Sequence, residues 1–181
     1  DSPYRQRSES EPNNPPAAAT PIDLGVTIHG LIEEGDVDLY RVTLKQGDRL
    51  SAEVVGIRNT RYVFDARIAV LDVDGNELTA NDDSVLLPQD PKLSFLAPKD
   101  DDYMMAIRED AFGGDLDSIY QLHIGSHPRP VVCYPAGGMP GAEETISLIG
   151  DAAGPVVQTT SLPASIGTVE LFPEDKSGIA P

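Results

Sequence analysis

The chain has a single cysteine, few basic residues and no long apolar run, and each shortage excludes something. With Cys133 alone, no disulfide can close within the chain and no thiolate metal cluster can form. The 13 lysines and arginines face 30 aspartates and glutamates, a formal charge of −17 in 181 residues. A phosphate backbone is repelled by such a surface, so nucleic acid is excluded as a partner. No apolar stretch approaches the roughly 20 residues of a membrane helix, so membrane insertion is not expected. Asp1 to Ser10 are polar and unlike a signal peptide, so an export signal was either removed or never present.

Catalytic signatures are also missing. There is no G-x-S-x-G, no H-E-x-x-H and no glycine-rich phosphate loop. His29 and His123 alternate with apolar neighbours and are expected to face solvent. His127 lies among prolines, and Cys133 has no base close in sequence and is expected to act as a small buried hydrophobe. A triad built from distant segments would leave no such motif, but nothing here points to an enzyme.

What is present is a β pattern. Apolar residues make up 40% of the chain, and 16 prolines and 16 glycines are scattered along it, which favours short strands joined by turns over helices. Residues 1–8 are expected to be a flexible linker. From Leu24 onward the period is two: Leu24, Val26 and Ile28; then Tyr40, Val42 and Leu44; then Leu50, Ala52 and Val54. Gln46-Gly47-Asp48 between the last two reads as the turn of a hairpin. Phe64 to Val70 and Glu77 to Thr79, joined by Asp72-Val73-Asp74-Gly75-Asn76, read as a second hairpin. Three more runs follow: Leu93 and Phe95; Tyr103, Met105 and Ile107; Tyr120, Leu122 and Ile124.

About eight short, mostly antiparallel strands fit a jelly-roll-like β-sandwich spanning residues 9–126. His127-Pro128-Arg129-Pro130 marks a boundary. Residues 127–181 are expected to be a proline-rich linker with a partial β segment, either the truncated start of a second domain or an extension packed on the first.

Two acidic constellations stand out. In an extended Ser8-Glu9-Ser10-Glu11-Pro12-Asn13-Asn14, the side chains of Glu9, Glu11 and Asn13 point the same way. In Gly35-Asp36-Val37-Asp38-Leu39-Tyr40, two carboxylates sit two apart at the mouth of a strand. Together these segments could provide the six to eight oxygen ligands that Ca²⁺ takes; alternatively, the acidic groups solvate a strand end and cap turn amides. Asp72 to Glu77 lacks the third ligand and terminal glutamate of an EF-hand and reads as a turn.

The order of these motifs carries a resemblance. Glu9, Glu11, Pro12, Asn13 and Asn14 are followed by Gly30, Ile32 and Gly35-Asp36-Val37-Asp38 before Tyr40. Leu44, Gly47-Asp48 and Leu50 come next, then Phe64-Asp65-Ala66 through Asp74-Gly75, then Asp101 and Tyr103. From about Ser8 to Ile124 this resembles the bacterial pre-peptidase C-terminal domain, a family related to the calcium-binding jelly-roll domains of clostridial collagenases. The resemblance implies a noncatalytic accessory module of a secreted or cell-envelope protein, serving as spacer, stabiliser or binding arm beside the catalytic or surface domains of its parent chain.

It also implies Ca²⁺ shared between the N-terminal acidic run and the Gly-Asp loop, with Glu9, Glu11, Asn13, Asn14, Asp36 and Asp38 as the metal-site residues. Tryptophan is absent, so an aromatic collagen-binding face does not carry over. The Pro135-Ala136-Gly137-Gly138 region resembles segments that open an immunoglobulin-like fold in large planctomycete surface proteins. A carbohydrate- or protein-binding module independent of metal, taking an extracellular protein or polysaccharide, is the alternative.

Overall fold

Alternating apolar side chains define which strand faces are buried, and the folded chain follows that pattern closely. The computed structural model describes residues 4–58, 64–84 and 89–173. Among the described residues the strands are β1 (Arg5–Ser8), β2 (Thr20–Pro21), β3 (Val26–Leu31), β4 (Asp38–Leu44), β5 (Arg49–Val55), β6 (Ala66–Leu71), β7 (Glu77–Asn81), β8 (Lys92–Leu96), β9 (Asp101–Glu109), β10 (Ile119–Gly125), β11 (Val132–Tyr134), β12 (Glu143–Ile149) and β13 (Val156–Ser161). The protein is all-β. One sheet has the order β1-β3-β10-β5-β8 and the other β2-β4-β9-β6-β7; β11, β12 and β13 form a third, separate sheet.

The inward faces of the two five-stranded sheets make one core. Ile28, Tyr40, Val42, Leu50, Val54, Phe64, Ile68, Met105, Ile107, Leu122 and Ile124 are among its buried members. Tyr120 stacks on Phe64 with ring centroids 6.2 Å apart, and Phe95 meets Tyr103 edge-on at 5.2 Å, geometries that suit the aromatic quadrupole. The outer face of the β4-β9-β6 layer is also apolar in part: Leu39, Ala69, Met104 and Ala106 are buried with Ala19. Ala19 directly follows a short 3₁₀ turn at Pro16–Ala18.

Two expectations need correction. β4 and β5 are not a hairpin: β4 pairs with β9 and β5 with β10 and β8. Both strands bury their alternate residues in the same core from opposite sides. The Gly47 turn, with φ of 86°, therefore carries the chain across the sandwich. The turn is held by Ala97, which accepts from Gly47 N at 2.8 Å and donates to Asp48 O at 3.0 Å. Alternation identifies a buried face but not a neighbour. The second correction concerns residues 1–8, read as linker. Arg5–Ser8 forms β1, pairing in parallel with β3 from Arg5↔Val26 to Ser8↔His29. All four side chains are exposed, so backbone hydrogen bonds hold β1, and no apolar period betrays it.

The β6–β7 hairpin is as expected from its turn. Asp72 Oδ1 accepts from the amides of Asp74 (3.0 Å) and Asn76 (2.8 Å), and Gly75 takes φ of 85°; a left-handed residue is needed there and glycine supplies it.

The segment after β10 and the loop after β12 pack on the outer face of β5 and β8. Arg129 Nη1 pairs with Glu53 at 2.6 Å, and Arg49 Nε lies 3.1 Å from Asp151. Lys92 Nζ donates to Pro130 O at 2.9 Å, and Ala152 N donates to Ser94 Oγ at 2.7 Å. Burial alone would raise the Glu53 pKa; the Arg129 charge and Arg58 outweigh it, and the carboxyl lies below its ordinary value. This contact buries His127 to 2% exposure and leaves His123 only half-exposed, bonded to Thr27 Oγ1 at 2.8 Å, whereas the sequence pattern had placed His123 in solvent. Residues beyond 173, and with them the end of the expected C-terminal segment, lie outside the described residues.

Candidate metal centre

The site forms where three separate stretches meet at one end of the sandwich. After β1, Glu9 N still donates to His29 O at 3.0 Å, so the β ladder carries the first acidic residue into position. Leu31 N then donates to Glu9 Oε1 at 2.8 Å. Beyond Glu9 the chain leaves the sheet through a cis Glu11-Pro12 peptide, and Asn13 N donates to Glu11 Oε2 at 2.9 Å. Asp38 is the first residue of β4 and is fully buried.

Glu9, Glu11 and Asp38 each offer a carboxylate oxygen, and these atoms lie within 4.8 Å of one another. No lysine or arginine pairs with any of the three among the described residues. Asn13 is fully buried, yet its Oδ1 has no hydrogen-bond partner, and neither has Asp38 Oδ1. Buried amides and carboxylates are normally satisfied, so these unpartnered oxygens and the three crowded carboxylates together form a set of acceptors that could hold a cation.

The titration behaviour agrees. Burial raises the Asp38 pKa far above the ordinary carboxylate range; nearby Glu9 raises it further, and Tyr120 and the Asn13 amide only partly oppose this. Burial likewise raises Glu9, with Glu11 and Asp36 adding to the effect. Without a positive partner, Glu9 and Asp38 hold protons more tightly than free carboxylates do.

Two tyrosines underlie the centre. Tyr120 on β10 donates to Asp38 Oδ2, and its hydroxyl is 2.6 Å from that of Tyr40. Because Tyr120 has one hydroxyl proton and gives it to Asp38, Tyr40 is the donor to Tyr120. Opposite Tyr120 in the β3–β10 ladder stands Gly30. A Cβ there would lie 2.3 Å from Tyr120 Cζ and 2.5 Å from Glu9 Oε2, so only glycine admits the ring and the carboxylate together.

Of the six residues read from the sequence, Glu9, Glu11, Asn13 and Asp38 come together. Asn14 and Asp36 pair with each other instead, with Asn14 Nδ2 donating to Asp36 Oδ1 at 2.5 Å, and they line an acidic groove of about 420 Å³ with Glu9, Glu11, Glu33 and Glu34. Tyr120, Tyr40 and Gly30 were not recognised as parts of the site. Tyr120 is 82 residues from Asp38, and no local spacing links the two.

The strand arrangement can now be set beside known proteins. No family model and no curated protein matches the chain. The fold is similar to a pre-peptidase C-terminal domain. That domain, of the collagenase from Bacillus anthracis, shares 17% identity with a TM-score of 0.46, over 64% of this chain and 99% of the domain. Aeromonas hydrophila PliG, a periplasmic inhibitor of g-type lysozyme, is also similar, at 11% identity and a TM-score of 0.43, over 67% of this chain and 98% of its own.

Proposed function

We propose that the chain is a noncatalytic accessory module of a secreted or cell-envelope protein, and that Ca²⁺ closes its N-terminal segment onto the sandwich. Glu9, Glu11, Asp38 and Asn13 Oδ1 are the ligands, and Asn14 and Asp36 sit on the rim where a hydrated ion enters. The observation that carries the reading is the fully buried Asn13 Oδ1, without a hydrogen-bond partner, beside three carboxylates that no lysine or arginine pairs among the described residues. An all-oxygen donor set free of histidine and cysteine suits a hard cation, and an irregular cluster suits Ca²⁺ better than the octahedral demand of Mg²⁺.

Bound calcium would replace mutual repulsion among the carboxylates by attraction to a shared centre, fixing residues 9–14 against β4. A module so closed can serve as a rigid spacer or stabiliser for parent-chain domains.

Isothermal titration with CaCl₂, paired with thermal melts in calcium and in EDTA, examines this directly. Calcium should bind and raise the melting temperature, and replacing both Glu9 and Glu11 with Gln should remove the shift while leaving the calcium-free fold intact. Identical melts in calcium and EDTA, with no heat of binding, would reject the metal.

A further inference from the structure

β1 runs between two anchored ends. At one end Glu9 enters the carboxylate cluster. At the other, Tyr4 reaches the joint between the sandwich and the C-terminal sheet: its hydroxyl is 2.6 Å from His127 Nδ1, and the two rings are 6.0 Å apart. The joint is built around that contact. A Cβ on Gly125 would stand 2.0 Å from Tyr4 Oη and 3.0 Å from His127 Nδ1.

Between its ends β1 is held weakly. It is an edge strand of four residues with exposed side chains, paired to β3 alone. Among the described residues its side-chain contacts to other elements are an exposed Arg5–Asp23 ion pair and a Gln6–His29 hydrogen bond, interactions that contribute little in water. Beyond the backbone ladder to β3, the anchorage of β1 therefore comes chiefly from its two ends.

We propose that β1 is a strap that couples the cation centre to the joint, so that calcium at Glu9 and Asp38 stiffens the His127–Arg129 segment through Tyr4. The inference rests on the calcium reading above. Without the ion, crowded carboxylates favour release of Glu9, and β1 with Tyr4 leaves along with it. With the ion, Glu9 is retained, Tyr4 stays on Gly125, and the Tyr4–His127 contact persists. The direction of the C-terminal sheet is set by the same segment, since Arg129 N donates to Asp151 at 2.7 Å and Val131 N to Ile149 O at 2.8 Å.

Amide hydrogen exchange of the full chain, read at Glu9, Arg129 and Val131 with calcium and with EDTA, examines the coupling, with calorimetry run in parallel. Calcium should slow exchange at all three amides, by about tenfold at Arg129 and Val131, within the range of coupled sites. In the Tyr4→Phe variant, which keeps the ring but loses the hydroxyl, calcium should still bind and protect Glu9, and the response at Arg129 and Val131 should fall to a small residue. Calcium binding with unchanged exchange at Arg129 and Val131 overturns the coupling while the metal reading stands. Equal protection in wild type and Tyr4→Phe also overturns it, since that outcome is general stabilisation. No heat of binding removes the metal reading and the coupling together.

Discussion

Replacing Asp38 with Asn separates the two roles of that carboxyl, as hydrogen-bond acceptor and as charge. The amide oxygen can still accept from Tyr120, but the charge is gone. Glu9 and Asp38 oxygens lie within 4.8 Å, and two unit charges at that distance repel by about 3 kcal/mol at an effective dielectric near 20. In the calcium-free protein this repulsion, added to burial, raises the Asp38 pKa. A carboxyl whose folded pKa is raised binds more protons folded than unfolded. Calcium-free stability should therefore fall as pH rises above the ordinary Asp value, 3.8.

Asp38→Asn should flatten that slope, and its calcium-free stability at neutral pH should match or exceed wild type. On the proposed reading, calcium at about 100 times its dissociation constant should stabilise wild type by about 2.7 kcal/mol, a rise of about 5–10 °C for a chain of this length. In the variant the rise should vanish. Differential scanning calorimetry in EDTA and in calcium, at several pH values, measures both. A variant that keeps the calcium shift, or that loses more than about 2 kcal/mol in EDTA, would refute the account of Asp38 as a charge awaiting a cation.

Three further outcomes are expected. Gly30→Ala should cost about 1–3 kcal/mol through overpacking against Tyr120 and Glu9 and should weaken calcium binding, seen by urea denaturation and calorimetry. Asp90 is fully buried and accepts from Gly56 N at 2.9 Å, Ile57 N at 3.1 Å and Arg58 Nε at 2.5 Å; Asp90→Ala should destabilise by about 3–5 kcal/mol in denaturant melts. Burial and the Arg129 charge lower the His127 pKa from 6.5 to about 4, so the folded protein binds fewer protons than the unfolded chain in that window. Stability should drop by up to about 3 kcal/mol as pH falls from 6.5 to 4, and His127→Gln should remove that part of the pH dependence.

The alternation of Tyr40, Val42 and Leu44, and of Leu50, Ala52 and Val54, was enough to place both runs in a core. It could not tell that they approach that core from opposite sheets, because a turn of the same length can return beside a strand or cross above it. β1 was illegible for another reason: its side chains are all exposed, and only backbone pairing holds it. At the site, the two-residue spacing of Glu9, Glu11 and Asn13 was readable because it recurs within one extended segment. Asn14 and Asp36 carry the same chemistry but satisfy each other, which only the three-dimensional path decides. The prolines around His127 suggested a linker, whereas they shape a buried joint.

The pairing scheme also sets an order of events for a newly made chain. β3 and β4 must wait for β10 and β9 respectively, so neither inner ladder can zip while the ribosome, or a translocation pore, still holds those later strands. Tyr120 must be in place before Asp38 has its donor. The N-terminal acidic segment, although first to emerge, is thus among the last to find its seat. On the proposed reading it would meet calcium only after the rest of the sandwich has closed, as a latch on finished sheets and not as a nucleus for them.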